Sequence, residues 1–274
     1  MSKCGSGNSS KGGSGKSRSG GGSESVVRSK SLKTPSECLV LMRSALRDES
    51  GRDRDVLAKF APLVKFNRNG LDLQVRLHTG TNLPKDTHRF AKKLAKKQMK
   101  QIYDESGYGW DDDEYSEALR EPEGRTLVAY AGSGRASGDV VYDTPVAFID
   151  FRFNVQGSVV GEMEGQPALV VEDLQLLPSV QRKGLGKHLM MLVNLIAKKY
   201  SMSYMMVKSF VNNDAARQFM SKISGFAVDY EWCPAGEPME VFQKPIVASP
   251  TTAATPPQKA TPTKNQQASP PTTP

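Results

Sequence analysis

The sequence predicts an α/β domain, a mixed central β-sheet flanked by helices, set between two disordered tails. Three observations predict it. Short apolar or alternating segments are interspersed with segments whose apolar residues recur at helical spacing. Near residue 184 an apolar strand, a glycine turn and an amphipathic helix follow one another directly. The charge also divides sharply. The 274 residues carry a net +8, yet residues 1–33 hold seven Lys/Arg against one Glu, and residues 246–274 hold Lys259, Lys264 and no acid. Residues 34–245 balance at 28 basic and 28 acidic, which argues against a uniformly basic nucleic-acid-binding domain.

The elements follow in order. Residues 1–33 are Ser/Gly/Lys-rich and residues 246–274 hold seven prolines, so neither tail has the apolar content to offset the entropy of ordering. Residues 35–60 read as helical, from Cys38 through Met42 to Leu57. Leu71–Leu77 alternates with period two and is a strand. Pro84 suits the first turn of a helix with Phe90, Leu94 and Ile102 on one side and Lys92, Lys93, Lys96, Lys97 and Lys100 on another. That lysine stripe is a solvated face or an anion contact. Strands are expected over 125–130, 145–153 and 168–176. A helix from about 184 carries Leu185, Leu189, Leu192, Ile196 and Tyr200 on one face, followed by a strand at 204–207. Asn213 caps a helix striped by Ala216, Phe219, Met220 and Ile223 and ended by Gly225. Short strands near 226–232 and 239–243 close the domain.

Composition narrows the function classes. No run of 18 apolar residues predicts a membrane span, and the N-terminal segment lacks the apolar core of a secretory signal. Cys4, Cys38 and Cys233 are odd in number and far apart, which suits free thiols in a reducing compartment. His78, His88 and His188 show no ligand spacing, so no metal is expected.

Chemistry concentrates in Gln181-Arg182-Lys183-Gly184-Leu185-Gly186. The first N–H groups of a helix have no internal partner and sit at its positive end, where phosphate is favoured. Glycines let the backbone curl around the anion, and Arg182 and Lys183 add charge. A P-loop is excluded because His188 follows Lys187 and the glycine spacing differs; a dinucleotide fingerprint is excluded because position 189 is Leu.

Gln181-x-x-Gly184-x-Gly186 resembles the acetyl-CoA pyrophosphate loop of the GNAT acetyltransferases. The resemblance implies a GNAT fold over roughly 120–245, with acetyl-CoA as cosubstrate. It places Leu174, Gln175 and Leu176 beside the pantetheine arm, Gln181, Arg182, Lys183, Gly184, Leu185, Gly186 and Lys187 at the pyrophosphate, and Asn213 against the cofactor. A closer resemblance, to the NatD family of histone-selective N-terminal acetyltransferases, extends upstream. It rests on Phe66–Leu71, Met99–Trp110, Phe151-Arg152-Phe153 and Arg182–Lys187, and covers about 60–245.

That closer resemblance implies acetyl transfer to the N-terminal Ser amine of histone four and histone two-A, whose chains begin Ser-Gly-Arg-Gly. It also implies histone tails as partners, possible ribosome association, and a location in cytoplasm and nucleus, with neither a membrane nor a specific nucleic-acid sequence as target. It puts the essential acid at Asp173, where the family usually has Glu. Glu172 and Asp173 are adjacent, so without a bulge they point to opposite faces and only one faces the cleft. A bridging water at Asp173, or Glu172 itself, would act as base; a structural salt bridge is the alternative. Tyr103, Tyr108 and Trp110 are candidates for the peptide wall, or for core packing. Tyr108, Asn154 and Met239 stand where the family has Trp, Asp and Tyr. No general acid is assigned. The acidic run Asp111-Asp112-Asp113-Glu114, with Glu117, Glu121 and Glu123, is a solvated face or an attractor for a basic tail. A broader N-terminal specificity, a lysine or small-amine acetyltransferase, and a non-catalytic CoA-binding module are the rival readings.

Overall fold

The computed structural model describes residues 33–134, 140–156, 166–223, 225–229 and 238–246. The two tails lie outside the described residues except at their inner ends. There Lys33 exchanges hydrogen bonds with the Gln166 side chain, and Ile246 is buried in the core.

Helix α1 (Pro35–Leu46) starts at Thr34, which with Glu37 forms a reciprocal capping box. The expected helix over 35–60 is in fact two pieces. Asp48 takes the N–H groups of Ser50 and Arg52, and Gly51 adopts a positive φ, so the chain turns before a 3-10 segment at Ala58–Leu63. Next come β1 (Lys65–Arg68), which the sequence reading did not assign, and β2 (Leu71–Thr79), expected as a strand over 71–77; they pair as a hairpin joined at Asn69-Gly70. Both turn residues have positive φ, which is what the tightest hairpin turn requires.

Helix α2 (Lys85–Glu105) is followed by α3 (Asp112–Ala118), also unassigned from sequence. The acidic run folds because Asp111 caps α3, accepting from the N–H groups of Asp113 and Glu114, and because acids suit a helix N-terminus. The lysine stripe answers it through Lys96, which pairs with Asp112 at 2.7 Å, while Lys100 pairs with Asp104 of its own helix at 2.5 Å.

Strands β3 (Arg125–Gly134), β4 (Val140–Gln156) and β5 (Gln166–Leu176) form an antiparallel meander. Helix α4 (Leu185–Lys199) crosses over to β6 (Tyr204–Phe210), parallel to β5, and α5 (Asp214–Met220), β7 (Ala227–Val228) and β8 (Met239–Pro245) complete the sheet. The strand order is β1-β2-β3-β4-β5-β6-β8-β7. This is the mixed sheet with flanking helices that the sequence predicted. One face buries Leu127, Ile149, Phe151 and Leu169 against α4 and the end of α1. The other buries Val128, Tyr130 and Phe148 beneath Ala91, Leu94 and Ala95 of α2.

Candidate active site

The site opens where two parallel strands part. β5 pairs with β6 only over Ala168–Val171, opposite Tyr204–Val207. β6 then continues to Phe210 on the ladder with β8, while β5 runs on to Leu176 held by β4 alone. Glu172, Asp173, Leu174, Gln175 and Leu176 thus border a wedge that no strand crosses among the described residues. The Leu176 carbonyl accepts from Gln98 at 2.8 Å and from Gln181 at 2.9 Å, tying α2 and the following loop to the strand end.

The loop Gln181–Gly184 closes one end of this wedge. Arg182 and Gly184 both take positive φ, and Gly184 is the residue from which α4 begins. The Gly184 carbonyl receives the His188 N–H, so the N–H groups of Leu185, Gly186 and Lys187 have no acceptor within the helix. Arg182 and Lys187 are exposed. A Cβ at Gly186 would stand 3.3 Å from the Phe219 ring, so the first helical turn is kept bare on that side. Asn69, from the hairpin turn, donates to the Lys183 carbonyl at 2.8 Å and props the loop. His188 is structural: its ring meets the Leu63 carbonyl at 2.9 Å and Phe66 edge-on. Asn213 caps α5 through the Ala216 N–H, and its amide lies 3.7 Å from the Met99 sulfur. Bare glycines, three N–H groups without a helical acceptor and flanking cations suit a pyrophosphate, so the loop fits the acetyl-CoA that the resemblance implies.

The carboxylates depend on a bulge. Asp150 pairs with Asp173, but the next β4 residue, Phe151, pairs with Val171, leaving Glu172 as an extra residue on β5. A bulge breaks the alternation of the pleat. The expectation that Glu172 and Asp173 point to opposite faces is therefore corrected: both lie on the face covered by α2 and α3. Glu172 reaches Lys208 on β6 at 3.6 Å. Asp173 accepts a short hydrogen bond from the Tyr115 hydroxyl and one from Gln175 at 2.6 Å. Burial pushes the Asp173 carboxyl above its ordinary value, against those two donors and the Leu174 N–H, which hold it down. Burial likewise pushes Tyr115 well above the usual phenol value and Tyr103 up to about 12, with Asp173 adding to both, so both remain proton donors.

An aromatic chain leads to this carboxylate. Tyr108, 57% exposed, meets Phe210 at 5.7 Å between ring centroids. Phe210 meets Tyr103 at 4.7 Å, Tyr103 meets Trp110 at 5.3 Å, and Trp110 meets Tyr115 at 4.8 Å. Trp110 is fixed by its indole N–H to Asp112, 2.8 Å away. The three aromatics singled out from sequence are thus brought together, and the structure adds Tyr115 and Phe210. Met239 pairs with Phe210 across the β6–β8 ladder and sits at the same end. Asn154 does not join them: it is exposed, opposite Ala168, four residues along β4 from Asp150.

Tyr115 is the principal omission of the sequence reading, and its signal was an aromatic residue inside an acidic run four residues after Asp111. Asn69 had the Asn-Gly hairpin signal.

Residues 96–226 match the family model described as Acetyltransferase (GNAT) family. The matched region belongs to the GNAT acetyltransferases. The GNAT match contains the wedge, the loop, both carboxylates and the aromatic chain; Asn69 and Met239 lie outside it. Among solved structures, the chain is similar to Arabidopsis thaliana Naa50 in complex with a bisubstrate analogue, CoA-Ac-MVNAL, at 20% identity over 62% of this chain and 97% of that one, with a TM-score of 0.41. It is similar to a PaiA N-acetyltransferase from Thermoplasma acidophilum in complex with coenzyme A, at 15% identity over 63% and 98% of the two chains, TM-score 0.40. A GNAT-family acetyltransferase from Staphylococcus aureus Mu50 matches at 10% identity over 63% and 99%, TM-score 0.43.

Proposed function

We propose that this GNAT acetyltransferase transfers the acetyl group of acetyl-CoA to the α-amine of polypeptides that begin Ser-Gly-Arg-Gly, the start of histone four and histone two-A. The observation that carries this reading is the continuous run of rings from exposed Tyr108 to Asp173, which ends beside the wedge bordered by the pyrophosphate loop. A wall of flat rings holds a small, flexible Ser-Gly end, and the exposed carboxylates Asp113, Glu114 and Glu117 beside it attract the arginine that follows.

The chemistry is attack of a neutral amine on a thioester. An α-amine has a pKa of about 7.7–8.0, so most of it is protonated at neutral pH. Asp173, acting through a water, takes that proton. Tyr115 and Gln175 each donate to one oxygen of the carboxylate and hold it in place. The amine lone pair then forms the C–N bond, the C–S bond breaks, and the second amine proton leaves with the thiolate as the thiol. Asp173 is one methylene shorter than Glu, and the bulge that sets it on the cleft face supports its use as the base. The reading places the enzyme in cytoplasm and nucleus, on nascent chains at the ribosome and on histone tails.

The test is a purified-protein assay with acetyl-CoA and peptides starting Ser-Gly-Arg-Gly or Ser-Gly-Glu-Gly. The arginine peptide is expected to turn over at least about tenfold faster, as opposed charges close to a low-dielectric wall require. Equal rates would contradict the histone-type selectivity and favour a broad N-terminal acetyltransferase.

A further inference from the structure

Asp150 is a buried carboxyl that the mechanism above leaves unused, at 4% exposure in the middle of β4. The register puts it in a polar row that crosses four strands: His78 on β2 opposite Thr126 on β3, Thr126 opposite Asp150, and Asp150 opposite Asp173. Directly paired residues on an antiparallel ladder hold their Cβ atoms about 4.5–5.5 Å apart, and like charges there repel. Asp150 accepts a hydrogen bond from the Thr126 hydroxyl at 2.8 Å. The charged and titratable groups facing it are Asp173 and Glu172 from β5, Arg152 on its own strand, and Tyr115 from α3. Arg152 is turned toward the C-terminal end of α3, where it binds Glu121 and the Ala118 carbonyl.

Two carboxylates paired directly across an antiparallel ladder do not both ionise freely. We propose that Asp150 is a positioning residue for the acetyl-transfer base: Asp150 and Asp173 form one carboxyl pair that shares a proton across the β4–β5 ladder, and the proton given up by the substrate ammonium enters this pair. The inference rests on the assignment of Asp173 as the base.

The proton balance is simple. The doubly ionised pair takes one proton from the ammonium through water and later releases it to solvent. The second amine proton accompanies the departing thiolate. Burial pushes the Asp150 carboxyl up to about 7, with Thr126 and Arg152 opposing the shift and Asp173 and Glu172 adding to it. A base that titrates there is matched to an α-amine, whereas a lone exposed aspartate, with a pKa of about 3.9, is a poor proton acceptor at neutral pH.

The experiment is a carboxyl-carbon NMR titration of the full chain labelled at aspartate, alongside pH profiles of kcat/KM on a Ser-Gly-Arg-Gly peptide. The wild type should show one aspartate titrating near neutral pH. Asp150→Asn should remove it, and Asp173→Asn should lower the Asp150 titration by about one pH unit or more. Thr126→Val, which takes away the donor and leaves both acids, should raise it. The acid limb of the pH profile should move down in Asp150→Asn and up in Thr126→Val. An Asp150 titration that Asp173→Asn leaves in place would overturn the pair, as would wild-type pH profiles in both the Asp150 and Thr126 variants. A wild type that acetylates no peptide would instead defeat the functional reading, and the NMR titration would still decide whether the two acids form a pair.

Discussion

The glycine loop and Asp173 both adjoin the end of β5, yet the two halves of the site are built in opposite ways. The loop is local. Gln181 to Lys187 are consecutive, and the turn and helix start that they encode are the site itself. The acidic half is assembled. Asp173 comes from β5, Tyr115 from α3, Asp150 from β4, Tyr103 from α2 and Phe210 from β6, and a one-residue bulge decides which acids face the cleft. A site made of backbone geometry tolerates almost no change in its glycines. A site made of side chains from five elements depends on its base, while each surrounding partner can be lost at a smaller, graded cost.

The largest effect tests the first half of that contrast. Gly186→Glu should abolish measurable acetyl-CoA binding, because the new Cβ meets Phe219 at 3.3 Å and the charge opposes the pyrophosphate. Unchanged affinity in calorimetry would remove the loop from the cofactor site. Next, Asp173→Asn should lower kcat by about 10²–10⁴-fold, the usual range for a positioned general base, with acetyl-CoA affinity within about threefold of wild type. Wild-type turnover in that variant would pass the role to Glu172, which shares the face. Tyr115→Phe keeps the carboxylate and removes one donor to it, so a smaller fall of about tenfold in kcat is expected, with little change in KM. A raised KM at constant kcat would instead make Tyr115 part of the peptide wall alone.

The same contrast explains what could be read from the sequence. The fold was legible because its strands and helices carry their own periodicity, and the loop because its chemistry needs only neighbouring residues. The Asn69-Gly70 hairpin was present in the sequence and unread; Asn69 sits 114 positions from Lys183, whose carbonyl it holds, so only the fold reveals the link. The cleft face of Glu172 was not legible, since the pleat rule predicts alternation and a bulge breaks it. Helix α3 was hidden because its acids resemble a solvated run, while in the fold Asp111 and Asp112 are tied to a helix start, to Trp110 and to Lys96. Tyr103, Tyr108 and Trp110 were found because they lie close together in the chain, whereas Phe210 was not, being brought to them by the sheet.

Two smaller effects sharpen the comparison. Asn69→Ala removes one hydrogen bond to the loop, a loss of about 1 kcal/mol, so acetyl-CoA affinity should fall by about fivefold. A larger loss would mean that the hairpin touches the cofactor itself. Asp150→Asn should alter stability with pH. The folded protein holds the Asp150 proton up to about pH 7, while the unfolded chain releases it near 3.9, so wild-type stability falls as pH rises between those values. The variant lacks that loss. Its melting temperature relative to wild type should therefore rise between about pH 4 and pH 7 and level off above; a constant difference would place Asp150 in a wetter setting.

The central claim is that an α-amine, delivered along the aromatic chain to Asp173, attacks the thioester of an acetyl-CoA whose pyrophosphate the loop holds. The most direct measurement is tandem mass spectrometry of a Ser-Gly-Arg-Gly peptide containing a lysine further along, after incubation with the purified protein and acetyl-CoA. The account predicts one acetyl group on the α-nitrogen of the peptide's N-terminal serine, formed by wild type and nearly lost with Asp173→Asn. Acetyl on the lysine, or none on the peptide while acetyl-CoA still binds, would contradict it.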